Sequence, residues 1–196
     1  MTATATSNEA QAALELAERN RQIAYRFYEE LWNKGNYDAA PELLHPDHFD
    51  HTLPLKDLPQ GRDGVLELMK TFRAAFPDLV MSVDSVIAQG DLVAEVLTLR
   101  GTHTAPFLGI PATGRSIEVK SVNLCRIEDG LVRERWGASD DLGMLQQLGI
   151  LPAPGSRGWN VSLKAAAAQV KLKQGGKAGA SALGGAVRRV RGKRGE

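Results

Sequence analysis

One cysteine, Cys125, stands among the 196 residues, so no internal disulfide is available and no oxidised framework is written into the chain. No apolar run approaches the ~20 residues that a membrane-spanning helix needs. The start, MTATATSNEA, has neither the basic residues nor the apolar stretch of a signal peptide, and the expected setting is the cytoplasm, with no membrane partner. A Gly-rich phosphate loop, a Cys-x-x-Cys pair and a G-x-S-x-G elbow are missing too. Gly61-x-x-Gly64 and Gly109–Gly114 are too sparse for a nucleotide fingerprint. His45, His48 and His51 recur at intervals of three, but Pro46 between them argues against a single helix face, so they are not expected to bind metal. The expected cofactor is none: no nucleotide, metal or flavin.

Acidic residues are scarce in one region only. Residues 152–196 hold 10 of the 24 Lys+Arg and 1 of the 23 Asp+Glu, a net charge of +9. The remaining 151 residues are acidic, with a net charge of −8. Nine of the 20 glycines also fall in 152–196, together with KAAAAQVKLK and VRRVRGKR. Two parts are therefore expected: a folded domain over 8–151 and a basic Gly/Ala-rich tail over 152–196, disordered and only marginally helical over 163–173. Specific nucleic-acid binding is not expected, only weak, salt-sensitive contact of the tail. With 43% hydrophobic and 24% charged residues the chain has ordinary globular material for one core. It contains no internal repeat.

A first helix is expected from Asn8, where Asn8 and Gln11 suit a capping box. Leu16, Ile23, Phe27 and Leu31 form its apolar stripe, and Gly35-Asn36 ends it. A shorter helix fits Ala39–Leu44, with Asp38 as cap and Pro41 in its first turn. His48–Pro59, with Pro46, Pro54 and Pro59 around it, reads as loop with a short extended piece. A third helix follows Gly61, carrying Val65, Leu68, Met69, Phe72 and Phe76 to a stop at Pro77-Asp78. The period then changes to two. Strands are expected at Leu79–Ala88, Leu92–His103, Ser116–Ile127 and Leu131–Gly137, with turns at Gln89–Asp91 and Asp129-Gly130 and a loop over 105–114. A last helix covers Asp141–Leu148. Helices followed by an antiparallel meander argue an α+β fold.

The order G-T-H (101–103), F-L-G-I-P-x-T-G (107–114), R-I-E-D-G (126–130), W-x-x-x-D (136–140) and L-x-Q-L-G (145–149) resembles the SnoaL-like polyketide cyclase (ester cyclase) family. So do FYEELWNKGNYDAAPELLHPDHFDH at 27–51 and FPD at 76–78. The resemblance covers roughly residues 20–150. It implies a cone-shaped α+β barrel of the nuclear-transport-factor-2-like type, a metal-free site in its mouth and a homodimer. It also implies a hydrophobic, carbonyl-bearing small-molecule substrate and aldol-type ring closure by acid–base chemistry. The resemblance places the family's catalytic carboxylate on Asp140, the residue that completes Trp136-x-x-x-Asp140, and makes His51, which matches a histidine many members carry after the second helix, the second catalytic candidate. Many relatives also have His immediately before the Trp, where this chain has Arg135.

Each candidate has a plainer alternative. Asp140 is an acid/base if burial disfavours its charge, or a cap for the last helix. Glu134 shares a face with Val132 and Trp136 by alternation, so it either points inward beside Asp140 or pairs with an arginine at the rim. Arg135 then faces away. His103 orients a substrate carbonyl or bonds to the adjacent loop. Ser121 and Asn123 lie on the apolar face of their strand with Ile117, Val119, Cys125 and Ile127, and need partners from protein or ligand. Tyr28 and Trp32 supply apolar wall, with polar tips able to reach the mouth. Two other functions remain open at this level: a non-catalytic binding or dimerisation module, and an epoxide-type hydrolase using Asp140 and Glu134.

Overall fold

Tight turns set most of the sheet. Asp129 and Gly130 both adopt positive φ, 51° and 80°, the backbone that joins two strands in a right-twisted hairpin. The computed structural model of the chain describes residues 2–52, 58–167 and 169, with side chains from residue 8 onward. The middle of the proline-rich stretch expected to be loop, 53–57, lies outside them.

Helix α1 runs over Thr2–Phe27. It continues into a π-helical turn, Tyr28–Asn33, in which the Lys34 N–H donates to the Glu29 carbonyl. A 3-10 turn occupies Tyr37–Glu42. The remaining elements are β1 (Leu44–Asp50), α2 (Arg62–Ala75), β2 (Val80–Gln89), β3 (Leu92–Thr102), β4 (Ser116–Glu128), β5 (Leu131–Ser139) and α3 (Asp141–Gln147). The five strands form one sheet in the order β1-β5-β4-β3-β2. The fold is α+β.

Four expectations change. Because α1 already runs through residues 2–7, Asn8 sits inside the helix and makes no capping box; Gln11 donates instead to Glu15. The buried stripe of α1 is rotated relative to the expected one: Leu16 is 37% exposed while Ala17 and Asn20 are buried. Asn20 Nδ2 donates to the Gly90 carbonyl, which ties the helix to the β2–β3 turn. The second helix is a 3-10 turn with no side-chain cap. The sheet is mixed rather than purely antiparallel. Leu44–Asp50 is a strand and pairs parallel with β5, Leu44 beside Val132 and Asp50 beside Arg135. Pro46 and the polar residues around it hide this strand locally, since its bonding partner lies far along the chain.

The pairing of β4 with β5 slips once. Arg126 faces Glu134 but Ile127 faces Val132, which leaves Arg133 as an extra residue. A bulge of this kind re-aims the side chains beyond it. Val132 points inward, but from there on the inward residues are Arg135 and Gly137, opposite Cys125 and Asn123, while Glu134 and Trp136 turn to the other face. This reverses the alternation expected for β5.

One core joins these elements. Phe27, Tyr28 and Leu31, Leu43 and Leu44, Met69 and Phe76, Leu97 and Leu99, Ile117 and Val119, and Met144 and Leu148 belong to a single buried cluster. Among the described residues, no helix is long and apolar enough to cross a membrane.

The chain divides into two compact units, Met1–Ile150 and Leu151–Glu196. In the second, residues 157–167 are helical where disorder was expected. Ser156 Oγ accepts from the Trp159 N–H, a side-chain cap at the start of that helix. Residues 170–196, and with them most of the basic tail, lie outside the described residues.

Candidate active site

A chamber of about 540 Å³ opens within the first unit, inside the usual size range of small-molecule sites. Helical wall comes from Phe27, Tyr28 and Trp32 and from Val65, Leu68, Met69 and Phe72 of α2. The sheet adds Met81, Leu97, Leu99 and Val119, and α3 adds Met144 and Leu145. Phe107 and Leu108 close one side at a tight turn, where Leu108 and Gly109 hold positive φ and Phe107 and Ile110 exchange backbone hydrogen bonds.

Polar groups gather on one wall of this apolar space. Asp50 is 4% exposed, and its Oδ2 accepts from Arg135 Nη1 at 2.8 Å. Its Oδ1 accepts from the Thr52 N–H at 2.9 Å. Arg135 Nη2 donates to Asn123 Oδ1 at 2.9 Å, and Asn123 Nδ2 donates to Tyr28 Oη at 3.0 Å. The Tyr28 hydroxyl bonds to Glu95 Oε2, which also takes a 3.8 Å contact from Cys125 Sγ. The result is a continuous chain, Asp50–Arg135–Asn123–Tyr28–Glu95, running from β1 through β5, β4 and the helix to β3. Every link satisfies a polar group that would otherwise be stranded in apolar surroundings.

The chain joins groups of unequal charge. Burial pushes the Glu95 carboxyl up to about 7, although the hydrogen bond from Tyr28 and the field of Arg135 pull the other way. Burial, and then the neighbouring Glu95, raise both the Tyr28 phenol and the Cys125 thiol well above their usual values, so Cys125 is an inert packing group. Gly137 makes room for the wall. A Cβ there would lie 2.5 Å from Arg135 Nη2 and 2.7 Å from Asn123 Oδ1.

The expected site residues separate into groups. Tyr28, Trp32, Ser121 and Asn123 line the chamber. Asp140 is the N-cap of α3, its Oδ1 accepting from the Gly143 N–H at 2.8 Å; it is exposed, and the flanking Ser139 and Asp141 both line the chamber. His51, Glu134 and Trp136 form a cluster of their own. The rings of His51 and Trp136 stack at 4.3 Å, and His51 Nε2 lies 3.3 Å from Glu134 Oε2. His51 and Glu134 border a second, more open cleft with His48 and Arg133. The bulge at Arg133 is what turns Glu134 and Trp136 from the chamber, so Glu134 does not stand beside Asp140 and Trp136 does not screen the chamber. His103 is fully buried against Phe76, with Nδ1 at the Thr113 backbone and hydroxyl. It braces the loop that carries Phe107.

Asp50, Glu95 and Arg135 were not among the expected site residues. For Glu95 a signal was present: an acidic residue between Val93 and Leu97 on the alternating inward face of β3. Arg135 had none, because its direction depends on the bulge.

An apolar chamber with one hydrogen-bonded polar wall, set in an α+β domain, has the form that small-molecule sites commonly take. The sequence pattern of the SnoaL-like polyketide cyclase family matches residues 22–148, and the chain belongs to that family. It is 31% identical over 129 residues to nogalonic acid methyl ester cyclase of Streptomyces nogalater, covering 65% of this chain and 96% of that protein. It is 29% identical over 136 residues to aklanonic acid methyl ester cyclase DnrD of Streptomyces peucetius, covering 66% and 90%. Among solved structures it resembles TsrD from Streptomyces laurentii, with a TM-score of 0.63 at 29% identity over 68% of this chain and 97% of that one. IdmH from Streptomyces antibioticus superposes with a TM-score of 0.57 at 36% identity, covering 66% and 98%.

Proposed function

We propose that this protein closes a ring in a hydrophobic, carbonyl-bearing small molecule by acid–base chemistry, without a cofactor, in the chamber between Tyr28, Trp32, Phe107 and Asn123. The observation that carries this reading is the distribution of polarity: apolar walls broken by a single connected set of hydrogen-bonding groups. Such walls hold a flexible polyketide folded, and holding two reacting carbons together is itself worth an effective molarity of about 10⁵ M or more. A carboxylate at the start of α3 removes a proton alpha to a carbonyl. The enolate carbon attacks a second carbonyl of the same molecule, and the resulting alkoxide is protonated. Arg135 and Asn123 supply positive potential and donors on the wall where the oxyanion forms.

Asp140 is assigned as the base through the Trp136-x-x-x-Asp140 spacing, on which the resemblance to the family places a catalytic carboxylate. Its neighbours Ser139 and Asp141 line the chamber, which supports its place at the mouth. His51, stacked on Trp136, is given no step. The names of the relatives suggest the substrate class, the methyl ester of an acid such as nogalonic or aklanonic acid. A cone-shaped barrel is supported by the way sheet, α2 and α3 all wall one chamber. A homodimer through the outer sheet face is supported by the exposed Val96 and Val122, which are cross-strand partners, and by exposed Ile87 and Leu124.

The test is ring closure of aklanonic and nogalonic acid methyl esters, followed as a product of unchanged mass and new retention time. Asp140→Asn keeps a capping side chain and removes the titrating group, so the rate should fall by roughly 10²–10⁴. Asp141→Asn is expected to leave it near wild type. Tight binding of these esters with no turnover would instead assign a binding module.

A further inference from the structure

Glu95 takes no part in the steps above, yet it is the most deeply buried acidic side chain among the described residues, at 2% exposure. It lies directly behind the chamber wall. It hydrogen-bonds to the Tyr28 hydroxyl, which belongs to that wall, and to the weak thiol donor of Cys125, and the Asn123 amide beside them also favours its charge; burial outweighs all three. A carboxylate so placed is poorly compensated; a carboxylic acid is at home there. The groups facing it are Tyr28 from the helix, Asn123 and Cys125 from β4, and Arg135 from β5 with Asp50 of β1 beyond it. From β2 the cross-strand neighbour is Val86.

We propose that Tyr28, backed by Glu95, is the proton donor to the oxygen that becomes an alcohol as the ring closes. This inference rests on the cyclase reading of the chamber. Asn123 Nδ2 occupies one lone pair of the Tyr28 oxygen at 3.0 Å, so the direction of the hydroxyl proton depends on Glu95. When Glu95 is ionised, the phenol donates inward to it. When Glu95 carries a proton, it donates to the Tyr28 oxygen and turns the phenolic proton toward the chamber.

The proton balance closes. As the carbon–carbon bond forms, the carbonyl π pair moves to oxygen. That oxygen takes the Tyr28 proton, and Tyr28 takes the Glu95 proton. The proton removed from carbon rests on Asp140. After product leaves, Asp140 releases its proton to water and Glu95 recovers one from chamber water through Tyr28. Substrate and product are isomers, and no proton is consumed. Activity therefore requires Glu95 protonated and Asp140 ionised, and falls as pH rises through the value of about 7 to which burial raises Glu95.

The experiment uses the full chain with 9-fluorenone, an apolar ketone, and fluorene, its carbonyl-free counterpart, with binding read by isothermal titration calorimetry. Wild type should bind fluorenone roughly tenfold more tightly at pH 5.5 than at pH 8.5, the scale of one hydrogen bond to a carbonyl, and fluorene equally at both. Tyr28→Phe should bind fluorenone weakly at both pH values. Glu95→Gln should lose the pH dependence. Thermal melts establish that both near-isosteric variants are folded. Fluorenone binding that is independent of pH in wild type, or a pH dependence that survives Glu95→Gln, overturns the proposal even if the esters are cyclised. With aklanonic acid methyl ester, Glu95→Gln should lower the rate by about 10² and abolish the alkaline fall. A wild-type chain that leaves the esters unchanged defeats the cyclase reading, and the fluorenone titration still decides whether Tyr28 donates under the control of Glu95.

Discussion

Replacing Glu95 by Gln should change how stability depends on pH, and the size of the change follows from its burial. In the unfolded chain this carboxyl titrates at about 4.5, and in the fold burial holds it at about 7. Between those values the folded state binds a proton that the unfolded state has lost, so wild-type stability falls as pH rises. The interval of about 2.5 units, at ~1.36 kcal/mol each, amounts to about 3 kcal/mol. The loss is complete above the folded value and absent below the unfolded one. Gln keeps the shape and an oxygen for the Tyr28 hydroxyl but does not titrate. Urea unfolding of both chains at pH 4.5, 6 and 8, at constant ionic strength, isolates the effect, because every other titrating group cancels in the difference. The stability of Glu95→Gln relative to wild type should grow by about 3 kcal/mol from pH 4.5 to pH 8. In thermal melts that is a gain of roughly 6–12 °C for a chain of this size. A difference that stays flat with pH would refute the claim that Glu95 is held protonated by burial.

Arg135→Met strands the Asp50 carboxylate, and should destabilise the fold by about 3 kcal/mol; Asp50→Asn added to it should recover most of that loss in a double-mutant cycle. Gly64→Ala should cost more than about 2 kcal/mol by urea unfolding, because its Cβ would lie 1.7 Å from the Pro59 carbonyl oxygen, a backbone atom that cannot turn aside. Asp140→Ala removes the cap of α3 and should cost about 1 kcal/mol, whereas Asp140→Asn should be close to neutral. A chain ending at Ile150 retains the whole first compact unit and should unfold in one cooperative transition by calorimetry.

Local pattern carried much of the architecture. Period-two alternation in Ser116–Ile127 identified the buried face of β4, with Asn123 and Cys125 on it, because a strand's side chains alternate wherever its pairing is regular. The apolar spacing of Val65, Leu68 and Met69 likewise identified the core face of α2, and Asp129-Gly130 located a hairpin whose backbone needs few contacts beyond itself. Motif order was enough to point to the family, and the Trp136-x-x-x-Asp140 spacing directed attention to the start of α3. Partners distant in sequence decided the rest. The segment at Leu44–Asp50 becomes a strand only because β5 offers it a parallel ladder. One surplus residue, Arg133, reverses the outer half of β5, so Arg135 enters the chamber wall while Glu134 and Trp136 leave it to stack and pair with His51. No periodicity in the chain encodes that slip, since it depends on how β4 and β5 align. The state of Glu95 is tertiary for a related reason. Its side chain is an ordinary carboxylate along the sequence, and becomes a proton-holding group only where helix, β4 and β5 together exclude water from it.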